Sequence, residues 1–189
     1  SHSKHSKILC GLGKGFNETG HLNPNGRDRA LAAIQRFQLL ATAMGLPQLT
    51  AVATAAVREA TDGAEFRADV LRETGLRLWV IGGEEEARLS AQGVLLGWPG
   101  ADGLLCDIGG SSMELAVIAD GKVGKRMTAP LGPLRLEGIK GGKKGRKAEI
   151  DRNLDRLVDV VGTGHKRLFL VGGSWRAIAR LDMERREYP

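Results

Sequence analysis

Hydrophobic residues first recur at helical spacing between residues 24 and 44. Spacings of three and four residues place them on one face of a helix. These residues are Leu31, Ile34, Phe37, Ala41 and Met44. Gly45 and Pro47 follow directly, and both residue types end helices. The pattern therefore predicts a long amphipathic helix.

Strand-like and helix-like segments then alternate. "LTAVATA" is a short β-rich run, and a helical pattern over residues 63–74 ends at Gly75. The apolar run "RLWVI" predicts a second strand, and a further helix begins at Glu84. "GWPGADG" is the first clear break in the chain.

Beyond this break the pattern changes to consecutive strands. "GLLCDI" and "MELAVI" predict two strands, Asp120-Gly121 is a hairpin signal, and "KRMTAPL" supplies a third strand. A last helix has apolar residues at Ile150, Leu154, Leu157, Val158 and Val161. It leads into the strand "RLFLV" and a glycine turn, "GGS". The fold class is α/β with mixed sheets.

Composition supports a globular domain, since 42% of the 189 residues are hydrophobic and 26% are charged. No apolar run approaches the roughly 18 residues of a membrane span, and the first residues, "SHSKHSK", are polar. We therefore expect a soluble, cytoplasmic protein with no membrane partner. Of the two cysteines, Cys106 lies in an apolar strand, which favours an inert buried thiol.

The net charge of +6 and a pI near 9.6 suit a polyanionic partner. Five of the eight residues from Lys140 to Lys147 are basic and alternate with glycine. Both a solvated loop and a polyanion-binding patch fit this composition. No aromatic residue lies among them for base stacking, so we do not expect a nucleic-acid partner.

The segment "DIGGSSMEL" combines a glycine turn with two carboxylates. Its turn offers backbone amides and hydroxyls that suit a phosphate, at Gly109, Gly110, Ser111 and Ser112. Asp107 and Glu114 flank the turn and would repel an anion unless a divalent cation lies between them. Because Mg²⁺ binds through one or two carboxylates plus phosphate oxygens, the segment predicts a site for metal-bound phosphate. A purely structural hairpin is the alternative.

Three further features point to phosphate chemistry. In "VGGSWRAIARL", Gly172, Gly173 and Ser174 precede a helix, as phosphate donors or, for Ser174, as an ordinary cap. "VIGGEEEARLS" places three glutamates at a helix start, where the dipole favours them and where one could deprotonate a water. Arg58 in "TAAVREA" follows a small-residue strand end, either as a phosphate clamp or as a surface residue.

Together "TAAVREA", "GGEEEARL", "DIGGSSMEL", "LGPLRL" and "VGGSWRAIARL" resemble the Ppx/GppA family of exopolyphosphatases and guanosine pentaphosphate phosphohydrolases. The resemblance implies an actin-like, RNase H-like fold of two domains, here over residues 1–89 and 90–189. It also implies site roles. Glu86 corresponds to the catalytic base, and Asp107 and Glu114 to magnesium-associated carboxylates. The implied phosphate contacts are Arg58, Gly109, Gly110, Ser111, Ser112, Gly172, Gly173 and Ser174.

Two departures from the family pattern bear on these expectations. Ser111 stands where the family has a third glycine, and a positive φ there would cost on the order of 1 kcal/mol. The family's first phosphate hairpin does not precede "KILCGLGKG", nor do the usual helices follow "MERREYP", so we expect part of a longer chain.

The predicted function is Mg²⁺-assisted hydrolysis of terminal phosphate from inorganic polyphosphate. Guanosine pentaphosphate as substrate, a small-molecule kinase of the same superfold, and a non-catalytic polyanion-binding module stay open as alternatives. The resemblance also implies a possible homodimer.

Overall fold

The computed structural model describes residues 8–188, which divide into two compact units between Ile81 and Gly82. The sequence-based boundary, between residues 89 and 90, falls instead inside a helix of the second unit. That the two units correspond to two actin-like domains stays a prediction. The elements in chain order are α1 (Phe16–Thr19), α2 (Pro24–Ala43), β1 (Ala51–Ala53), α3 (Ala55–Glu59), α4 (Gly63–Thr74), β2 (Leu78–Val80), α5 (Gly83–Gly97), β3 (Gly103–Ile108), β4 (Met113–Ala119), β5 (Lys122–Ala129), α6 (Pro133–Glu137), α7 (Gly142–Val161), β6 (Leu168–Val171) and α8 (Gly173–Arg185).

The first unit packs helices around a parallel pair of short strands, β1 and β2. Its core is centred on Phe66 and Val70 of α4, which are 1% and 0% exposed. The long helix α2 begins where predicted, because the Asn23 side chain accepts a hydrogen bond from the Gly26 amide. The predicted helix over residues 63–74 is confirmed, and Gly75 ends it with a left-handed φ of 69°.

The second unit is a four-stranded mixed sheet in the order β5-β4-β3-β6. β3 pairs antiparallel with β4 and parallel with β6. Neighbouring residues of β3 point to opposite faces, so Leu105 packs with Ala87 and Ala91 of α5, while Cys106 packs with Leu157 of α7. The sheet is therefore covered by helices on both faces. The α/β class with mixed sheets is confirmed.

The hairpin between β4 and β5 is the one that Asp120-Gly121 predicts. Ala119 pairs with Lys122, and the two loop residues have φ of 52° and 68°. Positive φ at both positions is the type I′ geometry that matches strand twist. The hairpin places its turn at the end of the sheet opposite the segment "GGSS".

Two other expectations are settled by the fold. Residues 142–147 are helical, so the loop conformation considered for Lys140–Lys147, as one of two interpretations, is not observed over most of its length. Cys106 is a buried free thiol whose pKa is raised to about 11 by its burial, as expected of an inert core cysteine. Within residues 8–188, no helix has the length and apolar character needed to cross a bilayer.

Candidate active site

The carboxylates of "DIGGSSMEL" lie side by side in the second unit, where β3 and β4 approach their shared turn. Asp107 is the direct cross-strand partner of Glu114, and Glu114 in turn pairs with Thr128 of β5. Residues paired in this way project from the same face of a sheet. The three side chains therefore form one polar row, which we call the carboxylate row (Asp107, Glu114 and Thr128), on the face covered by α5.

Neutral hydroxyls hold both carboxylates in place. The Ser90 hydroxyl of α5 donates to Asp107 Oδ2 at 2.6 Å, and the Thr128 hydroxyl donates to Glu114 Oε1 at 2.9 Å. Glu114 is only 1% exposed. Within residues 8–188, neither Asp107 nor Glu114 has an ion pair with a basic side chain. Among the described residues, the row thus brings two carboxylates together without an ion-paired basic side chain.

The electrostatics of Glu114 reflect this arrangement. The pKa of Glu114 is raised to about 7, chiefly by burial and also by the nearby charges of Glu86 and Asp107, against hydrogen bonds from Ser112 and Thr128 that lower it. A buried carboxylate with such a pKa is costly to ionise at neutral pH. A cation bound beside it would remove that cost.

Asp107 and Glu114 are suitable magnesium ligands, but the protein does not supply a complete set of ligands for the ion. No cluster of three or more His, Cys, Asp or Glu side chains suited to a metal occurs in the described part of the chain. Magnesium keeps several waters and is commonly held by one or two carboxylates together with phosphate oxygens. Asp107 and Glu114, adjacent on one face and lacking a basic partner, fit that mode of binding.

Glu86 is the glutamate of the "EEE" run that approaches the carboxylate row. All three glutamates lie in the first turn of α5. Glu85 is bound by Arg88 through two hydrogen bonds, which lower the pKa of Glu85, and Glu84 is exposed. The charge of Glu86, by contrast, acts directly on Glu114. Glu85 is therefore held by Arg88 within α5, and Glu86 is the one of the three whose charge is felt by Glu114.

The start of α5 packs closely against β5, and this packing fixes the distance between Glu86 and the carboxylate row. A Cβ on Gly83 would lie 2.3 Å from the Thr128 methyl carbon. Only glycine lets the first residue of α5 press against β5 in this way. The glycine that the sequence suggests for a sharp turn thus also sets the distance between α5 and the carboxylate row.

The turn between β3 and β4 presents two exposed glycines, Gly109 and Gly110, and is closed by a hydrogen bond from the Gly109 amide to Ser112 O at 3.0 Å. Ser111 does not adopt a positive φ, which non-glycine residues in the described chain show only at Asp120 and Glu187. The strain considered for Ser111 is therefore absent, and serine is compatible with this turn.

The segment "LGPLRL", residues 131–136, supports the turn between β3 and β4 from outside. The Gly132 amide donates to Ser111 O at 3.2 Å, and the Leu134 amide donates to Gly110 O at 2.9 Å. A Cβ on Gly132 would lie 2.4 Å from Gly110 O. The start of α6 is therefore hydrogen-bonded directly to the backbone of the turn. Through these bonds the segment "LGPLRL" holds the turn in its conformation.

The second glycine turn, between β6 and α8, lies against the first. Gly172 has a φ of 108°, and a Cβ there would lie 2.9 Å from both Asp107 Oδ1 and Ile108 O. α8 begins at Gly173 with no side-chain cap, so the capping role considered for Ser174 is not observed. Gly173 and Ser174 are exposed beside the turn. The parallel pairing of β3 and β6 brings the two turns together.

Arg58 belongs to the first unit and lies in the short helix α3, not at a strand end. Its guanidinium Nη1 donates to Ile81 O at 2.8 Å. This bond orients the side chain within its own unit. A phosphate contact by Arg58 stays a prediction.

Comparison with known proteins gives consistent results. Residues 4–189 match the Ppx/GppA phosphatase family. Exopolyphosphatase 1 of Mycobacterium tuberculosis is 32% identical over 133 residues, covering 69% of this chain and 39% of that protein. The chain thus spans about two fifths of the curated relatives that it matches.

Comparison with solved structures leads to the same family. An exopolyphosphatase-like protein aligns with a TM-score of 0.85 and 25% identity, covering 94% of this chain and 59% of the other. A Ppx/GppA family member from Aquifex aeolicus aligns at 0.67 and 26% identity, covering 96% and 62%. The actin-like fold expected from the sequence motifs is confirmed.

Proposed function

The chain belongs to the Ppx/GppA phosphatase family, and from that premise we propose that it supplies the water-activating base and metal-binding carboxylates of an exopolyphosphatase. The relatives named as exopolyphosphatases support this proposal. The observation that carries it is the approach of Glu86 to the carboxylate row beside two glycine turns.

Glu86 has the role of general base. Its carboxylate orients a water molecule and takes a proton from it as the water oxygen attacks the terminal phosphorus. The new P–O bond forms while the anhydride P–O bond breaks, and the products are orthophosphate and a chain one phosphate shorter. Little covalent chemistry is needed from the protein in such a transfer.

The two glycine turns hold the phosphoryl group. The amide of Gly110 in the first turn and the amides of Gly172 and Gly173 in the second offer donors that are fixed in advance by the contacts between the turns, while the Gly109 amide closes the first turn on Ser112 O. Asp107 and Glu114 would hold Mg²⁺, oriented by Ser90 and Thr128. When bound, the ion supplies neutralisation of charge on the phosphate oxygens.

Phosphate release is the direct test. The complete protein is incubated with long-chain polyphosphate and Mg²⁺, and orthophosphate is measured by malachite green, beside Glu86→Gln as the base-free variant. Release that requires Glu86 supports the proposal. Guanosine pentaphosphate, which has the same terminal anhydride, is assayed in parallel, and faster turnover of that nucleotide would reassign the substrate. ATP with a panel of small acceptors checks for kinase activity.

A further inference from the structure

Ser90 lies in the middle of α5 and uses its hydroxyl outside that helix. A serine at such a position can donate its hydroxyl hydrogen to the carbonyl oxygen four residues earlier, which here belongs to Glu86. A hydroxyl has only one hydrogen to donate. In this chain it goes to Asp107 Oδ2 on β3, at 2.6 Å, a short distance typical of a hydroxyl bound to an ionised carboxylate. Ser90 therefore joins α5 to the sheet through the carboxylate row.

This bond makes the two oxygens of Asp107 unequal. Oδ2 accepts the hydrogen bond from Ser90, whereas Oδ1 accepts none from the described residues. Oδ1 lies against the backbone of the second glycine turn, because a Cβ on Gly172 would be 2.9 Å from it. Asp107 pairs with Val171, and Gly172 is the next residue, so the strand register produces this contact. The oxygen without a protein donor thus faces the turn between β6 and α8.

The Ser90 bond also limits rotation of the Asp107 carboxylate. The last torsion of an aspartate is broad and roughly two-fold, so a carboxylate without a fixed partner can exchange its two oxygens. A hydrogen bond to an ionised group is roughly twice as strong as one between neutral groups. The bond therefore favours one orientation, with Oδ2 on Ser90 and Oδ1 towards Gly172.

The same helix carries Glu86. Ser90 follows Glu86 by one helical turn, so the two residues lie on one side of α5. The start of the helix is fixed in turn by the close contact between Gly83 and Thr128. The proposed base and the hydroxyl that holds Asp107 are therefore carried by one rigid element.

We propose that Ser90 is a positioning residue for Asp107 as a magnesium ligand. By holding Oδ2, it presents Oδ1 as the ligating oxygen, in a fixed position relative to Glu86. This inference rests on the proposed function, because it takes Asp107 as a residue that binds Mg²⁺. Loss of a group that orients a metal ligand typically lowers metal affinity or activity by about 10- to 100-fold.

Three variants of the complete protein test the inference. Ser90→Ala removes the hydroxyl without lowering helix propensity, Ser90→Thr keeps a hydroxyl, and Gln92→Ala removes an exposed polar group from the same helix. We expect Ser90→Ala to raise the Mg²⁺ concentration for half-maximal phosphate release from polyphosphate by about tenfold or more. KM for polyphosphate at saturating Mg²⁺ should stay near the wild-type value. Ser90→Thr and Gln92→Ala should both keep the wild-type Mg²⁺ titration.

Thermal unfolding gives a measurement that does not depend on catalysis. The Mg²⁺ concentration that produces half of the full rise in Tm at pH 8 should increase by the same factor in Ser90→Ala. In an Asp107→Asn background, Ser90→Ala should cause no further shift of this midpoint, because the two residues act through one hydrogen bond.

A lower Tm of Ser90→Ala with an unchanged Mg²⁺ midpoint would overturn the inference, because the bond would then be purely structural. Additive shifts in the double variant would also overturn it, since Ser90 would then act on the ion by a route other than Asp107. If the wild type releases no phosphate from polyphosphate, the proposed function fails, and the Mg²⁺ midpoint of the rise in Tm still decides the role of Ser90.

Discussion

Glu114→Gln is the perturbation that most directly tests the charge arrangement of the carboxylate row. Glu114 is 1% exposed, and its pKa rises from an ordinary 4.5 to about 7, chiefly through burial. Between these two values the native state binds more protons than the unfolded state. The free energy of unfolding therefore falls as the pH rises through this window. The stabilising contribution is complete below about 4.5 and lost above about 7.

The size of the effect follows from the shift. At about 1.4 kcal/mol per pKa unit, a rise from 4.5 to about 7 corresponds to about 3 kcal/mol. Glutamine has nearly the same shape and cannot ionise, and the Thr128 hydroxyl still has an oxygen to donate to. We therefore expect Glu114→Gln to be more stable than wild type by up to about 3 kcal/mol at pH 8 and nearly equal to it at pH 4.5.

Urea unfolding of both proteins at these two pH values, without divalent ions, measures the difference. Parallel stability curves for wild type and variant would refute the reasoning, because they would mean that Glu114 ionises as easily in the folded protein as in the unfolded chain. A second measurement concerns the metal. Added Mg²⁺ should raise the Tm of the wild type at pH 8 and leave Glu114→Gln unchanged, and an equal rise in both would place the ion elsewhere.

Three further predictions concern the neighbouring residues. Glu86→Gln should lower turnover of polyphosphate by roughly 10² to 10⁴ at saturating substrate, whereas the exposed Glu84→Gln should not; the reverse order of sensitivity would contradict the assignment. Asp107→Asn should raise the Mg²⁺ concentration needed for half-maximal activity, and an unchanged titration would reject its metal role. Gly132→Ala, which places a methyl group 2.4 Å from Gly110 O, should lower Tm and phosphate release together, unlike a substitution on an open surface.

Much of the site follows from local sequence pattern. The alternation of apolar residues in β3 and β4, with a short glycine turn between them, predicts a hairpin with Asp107 and Glu114 on opposite strands, and the observed pairing puts them directly opposite each other. The helix over residues 63–74 and the turn at Asp120-Gly121 are equally local. Hydrophobic period and turn chemistry are enough for such elements.

The contacts that assemble the site are not local, and the sequence did not predict them. Ser90 reaches Asp107 from another element, and Thr128 reaches Glu114 from the next strand. For Ser90, the only indication in the sequence is its spacing from Glu86. Ser90 lies one helical turn after Glu86 and therefore on the same side of α5. The sequence pattern also did not predict that α7 begins as early as Gly142, because glycines are poor helix formers. In the structure, packing of Ile150 and Leu157 against the sheet overrides that low propensity.

The glycines at this site differ in what they do, and their neighbours distinguish them. Ser111 occupies a turn position that does not require positive φ, so a side chain there is tolerated. Gly132 and Gly172 instead allow two backbones, or a backbone and the Asp107 carboxylate, to approach within distances that a Cβ would close. A phosphate cradle made of backbone amides needs such close approach, because its donors must converge on one point from separate segments. The glycines outside "DIGGSSMEL" therefore constrain this site more than the serine inside it.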